Sequence, residues 1–174
     1  MCECVQLKKI KDKEMDLSWL KKELWSGKTN ITLKDKFIGP EGAKVIEEAL
    51  TSTDDSVKIS KLDLCGSYVG DEGLKIIGNA LRHSKTLTDI ELENQHFSVE
   101  DAKAIGEALK ENKNLTEVDL ISNYISSDAE LIIEEALLAN HSLTHLNLCG
   151  TFLNNNISFQ FNNITFSLSN CQLF

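Results

Sequence analysis

Apolar residues recur along this chain in two alternating rhythms. In the first, Ile59, Leu62, Leu64 and Val69 return as Leu87, Ile90, Leu92 and Phe97, then as Leu115, Val118, Leu120 and Ile125, then as Leu143, Leu146, Leu148 and Leu153, each step being 28 residues. An earlier set, Ile31, Leu33 and Ile38, lies 31 residues before the next, which places three extra residues in a loop at the polar segment TSTDDS. Alternation within each set predicts a short strand with one buried face.

The second rhythm fills the space between these strands. It reads AKVIEEAL from Ala43, LKIIGNAL from Leu74, AKAIGEAL from Ala102 and ELIIEEAL from Glu130. Apolar residues at relative positions 3, 4, 7 and 8, joined by position 1 in the first three copies, line one face of a helix rather than a strand. The helix starts are marked as well. Pro40 follows Gly39 at an early helical position, Ser98 with Asp101 resembles a capping box, and Glu41, Glu72, Glu100 and Asp128 suit the positive end of the helix dipole.

Each unit is therefore a strand, a turn and a helix. Stacked in order, the strands form a parallel sheet and the helices cover its outside. A helix is wider than the ~4.8 Å strand spacing, so the stack must curve, with strands on the concave face and helices on the convex one. The expected fold class is α/β, a right-handed solenoid. A single unit cannot bury its apolar face alone, so neighbours stabilise one another. The pairs Ala49-Leu50, Ala80-Leu81, Ala108-Leu109 and Ala136-Leu137 fit this, alanine allowing close helix approach while leucine fills the space between layers.

LTEVDLISNYI, Leu115 to Ile125, followed by a helix and repeated at a 28-residue period, resembles the leucine-rich repeats of the ribonuclease-inhibitor type. These repeats are also found in NOD-like receptors, tropomodulin-like proteins and Ran GTPase-activating proteins. The resemblance covers residues 29 to 153 and implies a horseshoe. One position departs from the family pattern. The usual Asn or Cys before the last apolar residue survives as Asn123, while the other copies have Lys36, Ser67, Gln95 and Thr151. That side chain normally satisfies backbone groups in the turn, so these turns are expected to be less well bonded.

Composition narrows the partner. The chain has 174 residues, 27 acidic against 18 basic, and a pI near 4.9. Binding a phosphate backbone needs clustered positive charge, so nucleic acid is excluded as an expected partner and a basic protein surface is the natural complement. No window approaches the roughly 18 consecutive apolar residues of a membrane span, and charges crowd the N-terminal MCECVQLKKIKDKEM where a signal peptide would be apolar. The expectation is a cytoplasmic or nuclear monomer that is not secreted. The sequons at Asn30, Asn114, Asn140, Asn156 and Asn163 then arise by chance.

Residues between the apolar strand positions must face outward on the concave surface. They are Asn30, Thr32 and Lys34; Lys61, Asp63 and Cys65; Asp89, Glu91 and Glu93; Glu117, Asp119 and Ile121; His145, Asn147 and Cys149. Parallel stacking puts Asp63, Glu91 and Asp119 in one row and Asp89 beside Glu117 in another, where like charges repel. The expected partner-binding set is Lys61, Asp63, Asp89, Glu91, Glu93, Glu117, Asp119, His145 and Asn147. The alternative is that these acids are simply solvated scaffold.

No catalytic or cofactor signature appears: GxxxxGK, HExxH and GxSxG are all missing. His141, His145 and Cys149 lie across a loop and a strand rather than on one helical face, so no metal site is expected there, and Cys2 with Cys4 offers too few ligands. Cys65 and Cys149 are three strand spacings apart, ~14 Å, beyond the reach of a disulfide. Regulation of a small GTPase is the competing functional class, since Ran GTPase-activating proteins share the repeat, but no motif unique to that group is present. A fragment of a larger NOD-like receptor or scaffold is a further alternative.

The two ends leave the repeat. Residues 1 to 28 contain DLSWLKKELW, with Asp16 as a cap and Leu17, Leu20, Leu24 and Trp25 at helical spacing. This segment covers the first repeat or binds a partner. Residues 154 to 174 form an irregular tail in which ISFQF and ITFSL alternate around Asn162-Asn163, reading as a hairpin cap or as the product of a truncated gene model. Cys171-Gln172-Leu173-Phe174 matches a prenylation box, making Cys171 a candidate for a weak lipid anchor. No upstream Lys or Arg cluster supplies a second membrane signal, and chance is the alternative.

Overall fold

Every strand of the fold is three residues long, just enough to bury one side chain and expose its two neighbours. The computed structural model describes residues 15–93, 95, 97–120, 123, 125–148 and 165–167. The strands are β1 (Asn30–Thr32), β2 (Lys61–Asp63), β3 (Asp89–Glu91), β4 (Glu117–Asp119), β5 (His145–Asn147) and β6 (Thr165–Ser167). They pair in chain order, all parallel.

Parallel neighbours need a crossover, and helices supply it. After α1 (Leu17–Leu24) come α2 (Gly39–Leu50), α3 (Asp71–His83), α4 (Val99–Glu111) and α5 (Ser127–Ala139), one in each connection from β1 to β5. Each helix packs beside the next, α1 to α5 in order. The core lies between the two layers. The middle residue of each strand from β1 to β5, namely Ile31, Leu62, Ile90, Val118 and Leu146, is buried against helix residues such as Ile46, Ile77, Ile105 and Ile133. Each such side chain taken fully from water contributes ~1.5–3 kcal/mol.

Local signals set the helix ends. Ser98 Oγ accepts from the Asp101 N–H at 3.2 Å and Asp101 Oδ2 accepts from the Ser98 N–H at 2.9 Å, a reciprocal capping box. Asp16 Oδ1 accepts from the Ser18 and Trp19 N–H groups at 2.9 and 3.0 Å. In α1, Leu20 and Leu24 are fully buried and Trp25 is half-buried, but Leu17 is exposed, so the buried face is narrower than the spacing of apolar residues predicts. Leu20 lies over Gly42 at the start of α2.

The strand-to-helix turns correct one expectation. Gln95 Nε2 donates to the carbonyls of Ser67 at 2.7 Å and Leu64 at 3.1 Å, and Ser67 Oγ donates to Leu64 O at 2.6 Å. Asn123 Nδ2 donates to Leu92 O and Leu120 O, both at 2.8 Å. Where asparagine is missing, a longer amide and a hydroxyl satisfy the same carbonyls, so these two turns are not less well bonded.

At the far end, part of ITFSL forms β6, which pairs with β5 in parallel. The turn and first strand expected for a hairpin there lie outside the described residues, as does Cys171. Among the described residues no helix is long and apolar enough to cross a membrane.

Candidate functional site

Helices cover one face of the sheet, and the first and third residue of each strand stand on the other. Register fixes which of them are neighbours. Asp63 lies opposite Glu91, Glu91 opposite Asp119, and Asp119 opposite Asn147. The adjoining row runs Lys61, Asp89, Glu117 and His145. All of these residues except Asp63 line a groove of about 190 Å³ floored by Ile90, Val118 and Leu146.

Threonines at the strand entrances hold this register. The Oγ1 atoms of Thr88, Thr116 and Thr144 donate to the carbonyls of Ser60, Thr88 and Thr116 at 3.1, 3.2 and 3.2 Å, each bond tying one layer to the one before. They recur at 28 residues in the LT pair, a signal visible in the sequence that the apolar pattern alone does not weigh.

The face is acidic, and part of its charge is answered internally. Lys61 forms an ion pair with Glu91, and this bond, with the neighbouring carboxylates Asp89 and Glu117, raises the Lys61 ammonium above its ordinary range. Asn147 Nδ2 donates to Asp119 Oδ2 at 3.3 Å, and the single Thr88 hydroxyl proton is shared between Ser60 O and Asp89 Oδ2, the latter at 2.7 Å. Glu117 is pushed above the usual carboxylate range by its hydrogen bond to Asp89, then by partial burial and by the Asp89 charge. His145, with Nδ1 at 3.7 Å from Glu117 Oε1, and Lys61 oppose that rise. Glu93, half-buried, continues the acidic surface beyond the end of β3.

Cys65, two residues past the end of β2, keeps to the side of Asp63 and Glu91 but is buried beside them rather than exposed. Asp63 Oδ1 accepts from the Cys65 N–H at 2.9 Å, and the side chain is buried with Sγ at 3.5 Å from Glu91 Oε2. Burial, with the Asp63 carboxylate next to it, raises the thiol far above its ordinary pKa, which disfavours the nucleophilic thiolate. It is a free thiol. Ile121 and Cys149, also placed on this face by the alternation, lie outside the described residues.

No family model matches the chain, and no curated protein is similar to it in sequence. Among solved structures it is similar to leiomodin-1 actin-binding site 2, with a TM-score of 0.64 and 21% sequence identity, over 77% of this chain and 79% of that one. The likeness is one of fold: an α/β arrangement with parallel strands.

Proposed function

We propose that this chain is a non-catalytic protein-interaction module, a right-handed leucine-rich-repeat solenoid of the ribonuclease-inhibitor type whose concave strand face takes a basic protein surface. The observation that carries this reading is the register. It gathers Asp89, Glu91, Glu117 and Asp119 around one groove, with Lys61 as the lysine among its lining residues and Asp63 opposite Glu91 on the next strand. Like charges held side by side on rigid strands destabilise the free domain slightly, and a cation placed among them relieves that repulsion. Because the strands are preformed, little ordering accompanies docking, and long-range charge speeds encounter.

The similar region of leiomodin-1 is an actin-binding site, which makes an actin subunit the first defined partner to try on this face. Reversing Asp63, Glu91 and Asp119 to lysine together tests the proposal. The variant keeps the fold and loses the partner. A second reading, regulation of a small GTPase, predicts accelerated GTP hydrolysis across a GTPase panel, which the binding-module reading does not.

A further inference from the structure

Lys61 shows how a cation sits in the groove. Its side chain starts in one row, on β2, and forms an ion pair with Glu91 in the other row, one strand further on, so an ammonium bridges the two rows at that end. The 28-residue register puts Asp89 and Glu117 where a second and a third bridging lysine would start. Beyond Lys61 the groove therefore offers acids to a cation from elsewhere.

The same chain carries lysines that suit it. Residues 7 to 13, outside the described part, read LKKIKDK, with Lys8, Lys9, Lys11 and Lys13 against the single acid Asp12. No residue after Leu148 is a lysine or an arginine, so the other end of the chain offers nothing comparable. The start of α1 fixes where the lysine segment enters the fold. Lys36, in the turn after β1, holds its ammonium 4.8 Å from the centre of the Trp19 ring, and Leu20 lies over Gly42 at the start of α2. Helix α1 thus begins beside the strand-to-helix turns, at the rim where Asp63, Glu91 and Asp119 end their strands. Met15, which precedes the Asp16 cap, reaches that rim at the β1 layer. From β1 to β3 and β4 is two and three strand spacings, ~10–14 Å. An extended chain covers ~3.3 Å per residue, so Lys13 lies up to ~7 Å and Lys8 up to ~23 Å from Met15, and the four lysines bracket the groove.

We propose that residues 7 to 13 of this chain lie across its own acidic groove, placing ammonium groups among Asp89, Glu117 and Asp119 beyond the bridge made by Lys61, and that an outside basic partner must displace them. The inference rests on the strand face being a cation-binding surface, as proposed above, and names its resting occupant. Each contact is individually weak and screened by salt, but tethering keeps these lysines at a local concentration of roughly millimolar, enough to compete with a free partner.

The test uses the full chain in two measurements. Carbodiimide, which couples an amine to a carboxylate it touches, is expected to link Lys8, Lys9 or Lys11 to Asp89, Glu117 or Asp119 within the monomer, with the Lys61–Glu91 link as internal standard. Links absent while the standard forms, or made only to acids away from the groove, overturn the proposal. Links found only in covalent dimers assign the groove to a second copy and overturn it equally. A labelled hexalysine peptide then stands in for the partner, read by fluorescence anisotropy. The variant Lys8→Gln, Lys9→Gln, Lys11→Gln and Lys13→Gln is expected to bind it about threefold tighter than wild type, and tighter than a control with the same change at Lys22, Lys44, Lys75 and Lys103 of the helix layer. That advantage is expected to vanish when Asp63→Lys, Glu91→Lys and Asp119→Lys are added. Equal binding by the two glutamine variants, with binding still lost on reversing the three acids, overturns the inference and leaves the groove reading standing. Binding indifferent to the reversal removes both.

Discussion

Glu117 and Asp89 face each other on neighbouring strands and share a hydrogen bond between their carboxyl groups, which holds the Glu117 proton at higher pH than an isolated glutamate keeps it. Folding therefore favours the protonated form. Below the ordinary carboxylate range both folded and unfolded chains hold the proton, and the pair costs nothing. As pH rises through that range and past the raised value, the folded chain must accept two neighbouring charges, and stability falls. Glu117→Gln removes this term. The expected result is a higher melting temperature than wild type near pH 7, no difference near pH 3, and a gain of roughly 0.2–1 kcal/mol, at the low end because the pair is solvent-screened. Thermal unfolding at the two pH values checks it.

The helix-to-strand turns depend on one side chain per layer. Asn112 Nδ2 donates to Leu81 O at 2.5 Å and Ser84 O at 3.1 Å, and its Oδ1 accepts from the Asn114 and Leu115 N–H groups at 2.7 Å. Asn140 repeats the pattern in the next layer, reaching Leu109 O at 2.5 Å. Asn112→Ala leaves several buried backbone groups unpaired and is expected to destabilise by about 1–3 kcal/mol. Asn112→Asp is expected to be worse, since it removes the donor and sets a carboxylate against carbonyl oxygens. Urea denaturation of the two variants gives the order.

Two glycines at equivalent places separate a backbone clash from a side-chain one. A Cβ on Gly78 would stand 2.9 Å from the Ala104 carbonyl carbon and 3.0 Å from its oxygen, so the helices must part. On Gly106 the nearest atom is Ile132 Cγ2 at 3.2 Å, which a small rotation can relieve. Alanine gains ~1 kcal/mol of helix propensity at either site. Gly78→Ala is expected to be net destabilising by about 1–2 kcal/mol and Gly106→Ala near neutral, as read from melting temperatures.

The repeat was legible because the same two periods return in register. Leu62, Ile90, Val118 and Leu146 all fall at one strand position, and all four are buried. The rows of acids follow directly from that register. Other features were not legible, each for a physical reason. Gln95 and Ser67 reach the same carbonyl with side chains of different length, so a missing asparagine does not mean a missing bond. Cys65 stands on the side of Asp63 and Glu91, as alternation places it, but alternation does not show that it is buried beside them.

The central claim is that the acidic strand face holds a partner by charge. Affinity capture from native lysate tests it most directly, at low and at high salt, with wild type beside the folded triple variant Asp63→Lys, Glu91→Lys and Asp119→Lys. The account predicts a basic protein retained by wild type at low salt, weakened at high salt and lost in the variant. Identical captures from wild type and variant, with the variant shown to be folded, would contradict it.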